Sequence, residues 1–170
     1  MAHITKDLWD QHRKIEAMFG RHTKGDGAFY ATVHAPTENN LLGIILHEIE
    51  IHSAIEEEIV YPMLAQVDER RAEESQQDHE DIKDLMAEIE ELETGDPALT
   101  KLVKRLEKNV LAHAAREERE VFPIIKQRLY HEGFEMGRQA FALRQEMYGA
   151  GDRQSMKAPA RLGWPGNGWG

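Results

Sequence analysis

Apolar residues recur along this chain at alternating intervals of three and four, the pattern of helices that bury one face. The first stripe, Leu8, His12, Ile15 and Phe19, predicts a helix over residues 6–22 capped by Thr5. A second helix, over 37–67, carries Leu42, Ile45, Ile49, His52, Glu56, Ile59 and Met63 on its inner face. A third, over 69–93, carries Ala72, Ser75, His79, Ile82, Met86 and Ile89. The fourth starts at Asp96-Pro97, runs to 128, and turns Leu99, Leu102, Leu106, Val110, His113, Glu117, Val121 and Ile124 inward. Gly25-Asp26-Gly27, followed by a loop to Pro36, and Gly95 supply the breaks. The expected fold is therefore all-α, an up-down-up-down four-helix bundle over residues 1–130.

Beyond Gly133 a weaker stripe of Met136, Ala140, Leu143 and Met147, with Phe141 beside it, predicts a short fifth helix at 134–148. It makes 131–148 an accessory segment packed on the bundle, with a homodimer contact as the alternative. Residues 149–170 are rich in glycine and proline and read as a flexible tail, in which Trp164 and Trp169 stand out.

The stripes are interrupted by polar side chains, and the interruptions repeat. Ile51-His52-Ser53-Ala54-Ile55-Glu56-Glu57-Glu58-Ile59-Val60-Tyr61-Pro62 returns 61 residues later as Ala112-His113-Ala114-Ala115-Arg116-Glu117-Glu118-Arg119-Glu120-Val121-Phe122-Pro123. Four residues are about one helical turn, so His52 and Glu56 face the same way, as do His113 and Glu117. Burying such groups without partners costs at least a few kcal/mol, a large part of a domain's stability of about 5–15 kcal/mol. Helix lengths counted from the turns bring His12, His52, His79 and His113 to within one or two turns of a common level. A shared metal site would satisfy them all.

His-x-x-x-Glu alone says little here, since His12 precedes Glu16, His34 precedes Glu38 and His131 precedes Glu135 at the same interval. The repeat and the four stripe histidines carry the argument. His3, His22, His34, His47 and His131 lie off the stripes and read as surface, cap or loop residues. Four imidazoles and two carboxylates suit iron, with manganese or zinc as substitutes. Six protein ligands suit two carboxylate-bridged ions, about 3.5–4 Å apart, each with an open position. Ferritin-like sites order the pair as Glu-x-x-His, the reverse of the order in this chain.

The chain has no cysteine, which excludes disulfides, thiol catalysis and cysteine-ligated clusters. A net charge of −10 repels phosphate backbones and anionic membranes, so neither nucleic acid nor membrane is an expected partner. No signal-like segment opens the sequence and no apolar run approaches membrane-spanning length, so a cytoplasmic location is expected.

Residues 4–130 resemble the hemerythrin-like, or HHE cation-binding, domains of the bacterial type. The resemblance rests on His12, on His52 and Glu56 followed by Glu57 and Tyr61-Pro62, on His79, and on His113 and Glu117 followed by Phe122-Pro123. It implies a non-haem di-iron centre with His12, His52, His79 and His113 as terminal ligands and Glu56 and Glu117 as bridges. Oxygen-carrying hemerythrins have a second histidine where this chain has Lys83, and an aspartate where it has Glu118. These departures weigh against reversible oxygen carriage, and the bacterial-type resemblance implies peroxide breakdown, iron handling, or sensing of O2 or NO. An enzyme disproportionating hydrogen peroxide, a binder of O2, NO or iron, and an inert bundle are the three classes to separate.

Tyr61 is the remaining candidate, as a residue contacting the ligands. On a straight helix it would lie about 140° round from Glu56 and face away. Pro62 should kink or tighten the helix there, which leaves an inward phenol as the alternative.

Overall fold

A computed structural model describes residues 2–23, 41–93 and 95–155. Its helices are α1 (Ile4–Thr23), α2 (Leu41–Ile55), α3 (Tyr61–Ala65), α4 (Glu69–Glu90), α5 (Leu99–Arg116), α6 (Phe122–Arg128) and α7 (Glu132–Ser155). Two π turns, Glu56–Val60 and Glu117–Val121, join α2 to α3 and α5 to α6 without leaving helical backbone geometry. The four rods of the bundle are thus α1, α2 with α3, α4, and α5 with α6. Among the described residues there is no strand, and no described helix is long and apolar enough to cross a membrane.

Local chemistry accounts for the visible ends. The Asp68 carboxylate accepts a hydrogen bond from the Arg71 backbone N–H at 3.1 Å and caps α4. Gly95, at φ 88°, makes the left-handed turn between α4 and α5, where a side chain would be strained. The expected helix over 69–93 stops at Glu90, and the one expected from Asp96 begins at Leu99. The expected start at 37, the Gly25-Asp26-Gly27 break and His34 lie outside the described residues.

The π turns correct the expected inner face. A proline ring clashes with the carbonyl four residues back and has no N–H to offer it. Widening the turn before Pro62 and Pro123 relieves that conflict at the expense of one extra residue. The rod of α2 and α3 is therefore widened before Pro62, not tightened, and its stripe slips by one position. Val60, Tyr61 and Leu64 are buried in place of Ile59 and Met63, and Val121, Phe122 and Ile125 are buried, with Ile124 only half-buried. In α4 and α5 Leu85 and Val103 are buried where Met86 and Leu102 were expected.

The core is split in two. One apolar cluster holds Leu8, Ile55, Val60, Leu64 and Ile125, and the other holds Ile15, Phe19, Ile45, Ile82 and Leu106. The stripe histidines and glutamates fall between them in sequence on α1, on α4 and on α5 with α6, while on α2 with α3 His52 and Glu56 lie among Ile51, Ile55 and Val60 of the first cluster. Helix α7 closes the first cluster with Met136 and Ala140 and packs against α1 and α2. Close approach is possible because Gly133 and Gly137 lack side chains: a Cβ at Gly137 would lie 2.2 Å from the Ala2 carbonyl oxygen. The helix runs on to Ser155, so the first part of the expected tail is helical. Residues 156–170, with Trp164 and Trp169, lie outside the described residues.

Candidate metal centre

His12, His52, Glu56, His79, His113 and Glu117 converge between the two apolar clusters, each at most 4% exposed. The ligand atoms form two groups that share Glu56: His12, His52, Glu56 and Glu117, and Glu56, His79 and His113, each within 4.8 Å of one another. Glu56 Oε2 lies 3.2 Å from His52 Nε2, 3.1 Å from His79 Nε2 and 3.6 Å from His113 Nε2. Glu117 Oε2 sits 3.6 Å from His12 Nε2 and 3.5 Å from His113 Nε2, between the two groups.

The imidazoles are turned by partners on their outer edges. His12 Nδ1 donates to Glu118 Oε1 at 2.9 Å, and His79 Nδ1 to Glu57 Oε1 at 2.8 Å. His52 Nδ1 lies 3.2 Å from Gln11 Oε1, and His113 Nδ1 3.2 Å from Asp78 Oδ2. Basic side chains back these carboxylates: Arg13 on Glu118, Lys83 on Glu57 and Arg116 on Asp78. An acceptor at every Nδ1 places the proton there and leaves each Nε2 lone pair pointing inward, the tautomer of a metal-ligating histidine.

Inside the cluster the hydrogen-bonding does not close. His12 Nε2, Glu56 Oε1 and Glu117 Oε2 are buried without a partner, an arrangement that proteins avoid because each such atom costs about 1–3 kcal/mol. When both rings are neutral and protonated at Nδ1, His79 Nε2 and His113 Nε2 face each other at 3.1 Å as two lone pairs with no proton to share. Inward oxygens and nitrogens of this kind are the donor set a cation fits.

The π turns aim the remaining groups. In each, the carbonyl of the leading glutamate accepts from the residue five positions on, Glu56 from Tyr61 and Glu117 from Phe122, so that residue stacks over the glutamate. Tyr61 accordingly points inward. Its hydroxyl donates to Glu117 Oε1 at 3.0 Å and lies 3.3 Å from Glu56 Oε2 and 3.0 Å from His79 Nε2. Phe122 stacks on His12 instead, rings 5.7 Å apart and 9° from parallel.

The family model for the hemerythrin HHE cation-binding domain matches residues 3–125. The chain belongs to this family. Its fold is similar to the crystal structure of a hemerythrin HHE cation-binding domain-containing protein from Mycobacterium kansasii, at a TM-score of 0.69 and 21% identity over 94% of this chain and 96% of that one. No curated protein matches the sequence.

The electrostatics of this HHE domain follow from two carboxylates buried face to face. Burial pulls the His113 imidazole down, but the Glu117 charge and the Glu56 contact outweigh it and hold it at about 9. His12 is also held up: burial is outweighed by its contact with Glu117. Burial dominates at His52, which falls to about 3. Glu117 is raised by burial and by the charge of Glu56, whereas Glu56 is held well below the usual carboxylate range because His52 and its other imidazole neighbours overcome its burial. Without metal, a proton on His113 supplies positive charge beside the carboxylates.

Sequence reasoning did not single out Gln11, Glu57, Asp78 and Glu118 as partners of the imidazoles. All four follow or precede an inward residue directly: Glu57 after Glu56, Glu118 after Glu117, Gln11 before His12 and Asp78 before His79. In each repeat the first glutamate faces in and the second reaches a histidine of a neighbouring helix. His3, expected as a surface, cap or loop residue, takes the capping place expected of Thr5: its Nδ1 accepts from the Thr5 backbone N–H at 3.3 Å, and Thr5 lies inside α1.

Proposed function

We propose that this chain is a non-haem di-iron protein of the hemerythrin-like type that reacts with or senses O2, peroxide or NO. His12, His52, His79 and His113 would be terminal ligands, and Glu56 and Glu117 would bridge. The supporting observation is the set of inward atoms that no protein group satisfies, His12 Nε2, Glu56 Oε1 and Glu117 Oε2. Manganese or zinc could occupy the same nitrogen and oxygen donors, which do not select sharply among these metals. Two bound iron ions would supply redox chemistry toward a ligand small enough for a site enclosed by packed helices.

The rest is work for the chain's own residues. Gln11, Glu57, Asp78 and Glu118 fix the imidazole rings and make their inward nitrogens better donors. The apolar clusters on either side keep water out and strengthen every electrostatic contact between them. Tyr61 holds a proton 3.0 Å from Glu117 Oε1 in this dry space. That proton favours, as the second reading, a catalase-like enzyme converting two hydrogen peroxide molecules to O2 and two waters, since proton movement between oxygens is part of that reaction and no part of storing iron.

Metal analysis of protein expressed with iron is the first test. About two ions per chain are expected, falling strongly in a His52→Ala, His113→Ala double variant. A content near zero, or one unchanged in the double variant, refutes the centre. On the loaded protein, oxygen evolution from peroxide that disappears in Glu56→Ala selects the enzyme, and a stable ligand-dependent absorption band without turnover selects the binder.

A further inference from the structure

One cavity outside the metal centre is built unlike the rest of this acidic surface. It encloses about 400 Å³ where the start of α1 meets the α6–α7 turn, within the size range of small-molecule sites. Its walls are aromatic and open to solvent: Trp9 is 43% exposed, Tyr130 52% and Phe134 43%. Large aromatic side chains left exposed together mark recognition surfaces more often than chance.

The rings form an enclosure, not a flat patch. Phe134 stands edge-on to both His3 and Tyr130, at 88° in each case, with centroids 5.1 and 5.6 Å apart. His3 is held upright by its Nδ1 contact to Thr5 Oγ1 at 2.9 Å, against Gly133, whose missing side chain leaves it room. Its Nε2 is buried against Gly133, behind the wall, so the ring meets the cavity as an aromatic surface. Phe122 belongs to the lining, and its ring also stacks on His12.

The charges at the mouth are positive in a chain of net charge −10. Lys6 and Lys126 both line the cavity. Lys6 lies 5.5 Å over the Trp9 ring and is paired with Asp10. Lys126, exposed on α6, has no salt-bridge partner among the described residues. Aromatic walls select a flat π-system by stacking, and an unpaired ammonium at the rim selects an anionic substituent.

We propose that this cavity binds a planar aromatic anion, such as an aromatic carboxylate, one ring away from the metal centre. The inference does not rest on the identity of the metal or on the reaction there. The probe is 2-naphthoate, compared with its neutral analogue 2-naphthalenemethanol, titrated calorimetrically into the full-length, metal-loaded protein. One naphthoate per chain should bind, at least about tenfold more tightly than the alcohol. Lys126→Gln should remove that preference, and Trp9→Ala should weaken both compounds. Lys126 and Trp9 are exposed, so both variants should keep the parent's circular dichroism and metal content, and Phe134→Ala repeats the wall test if Trp9→Ala does not fold. Equal affinity for the two compounds, a preference that survives in Lys126→Gln, or several naphthoates per chain would overturn the proposal. So would sedimentation showing a dimer that dissociates in Trp9→Ala, which would make this aromatic face a contact between copies.

Discussion

Tyr61→Phe removes one oxygen from the centre and leaves the ring, its packing and the π turn in place. The lost O–H donates to Glu117 Oε1 at 3.0 Å and stands 3.3 Å from Glu56 Oε2, in a residue only 4% exposed. Hydrogen bonds to charged groups contribute about 1.5–3 kcal/mol, and the phenylalanine cannot replace this one. In metal-free protein the change leaves Glu117 Oε1 without its donor beside the charge of Glu56, so the full loss applies. At about 2–4 °C per kcal/mol for a chain of this size, the metal-free melting temperature should fall by roughly 3–12 °C. In loaded protein a cation satisfies the carboxylates, so the fall should be less than half as large, and the stabilisation by metal should grow. Thermal unfolding of parent and variant, each with and without metal, measures all four values. Equal losses in both forms, or none in either, would show that the hydroxyl only packs, and an unchanged absorption spectrum of the loaded variant would say the same of its influence on the metals.

Four further outcomes are expected. Glu57→Gln and Asp78→Asn each weaken the hold on a histidine proposed as a ligand and should lower metal affinity by about ten- to a hundredfold in a chelator competition. Gly137→Ala places a Cβ against the Ala2 carbonyl and should destabilise the protein by about 1–3 kcal/mol through displacement of the N-terminal segment, read in denaturant unfolding. In the metal-free protein His113 and His52 should pull stability in opposite directions about pH 6.5, the unfolded value, as read by denaturant unfolding across pH. His113, held at about 9, contributes stability that is complete below 6.5 and is lost as pH rises to about 9, at most about 3 kcal/mol; His52, pushed to about 3, adds a loss as pH falls from 6.5. Metal binding displaces the proton on His113, so it should release protons and weaken as pH falls, and identical binding heats in buffers of different ionisation enthalpy would contradict this.

Periodicity reveals the helices here because a bundle rod needs one continuous apolar face, and a polar residue on that face stands out. His12, His52, Glu56, His79, His113 and Glu117 were legible for that reason, each with an apolar residue three or four positions away on at least one side. The inward turn of Tyr61 was not. A period of 3.6 carried through Pro62 places the wrong residues inside, since the proline changes the hydrogen-bonding register before it. The repeat contained the correction, because Val60-Tyr61-Pro62 and Val121-Phe122-Pro123 both put an aromatic residue directly before the proline. Gln11, Glu57, Asp78 and Glu118 escaped notice for a different reason. They sit beside the stripes and are half-exposed, and what sets them apart from other surface acids is the rotation of the adjoining helices, which no single-helix pattern encodes.

The two π turns show how the repeat was made unequal. Both place a glutamate under an aromatic ring, so each half delivers one carboxylate and one ring to the centre. At Tyr61 the ring ends in a hydroxyl that touches both glutamates and His79; at Phe122 it ends in carbon and stacks on His12. A symmetric cage with hydrogen-bond donors at both ends would hold a small ligand in two equivalent ways. This one offers a proton on the His79 side and an apolar wall on the His12 side, so a ligand that gains a hydrogen bond on binding is biased toward one end. Phe122→Tyr tests whether that inequality matters: a second hydroxyl beside His12 should restore near-equivalence and broaden or split the absorption bands of the loaded centre. Bands that stay where they are in the variant, with metal content unchanged, would mean the two ends were never distinguished by these rings.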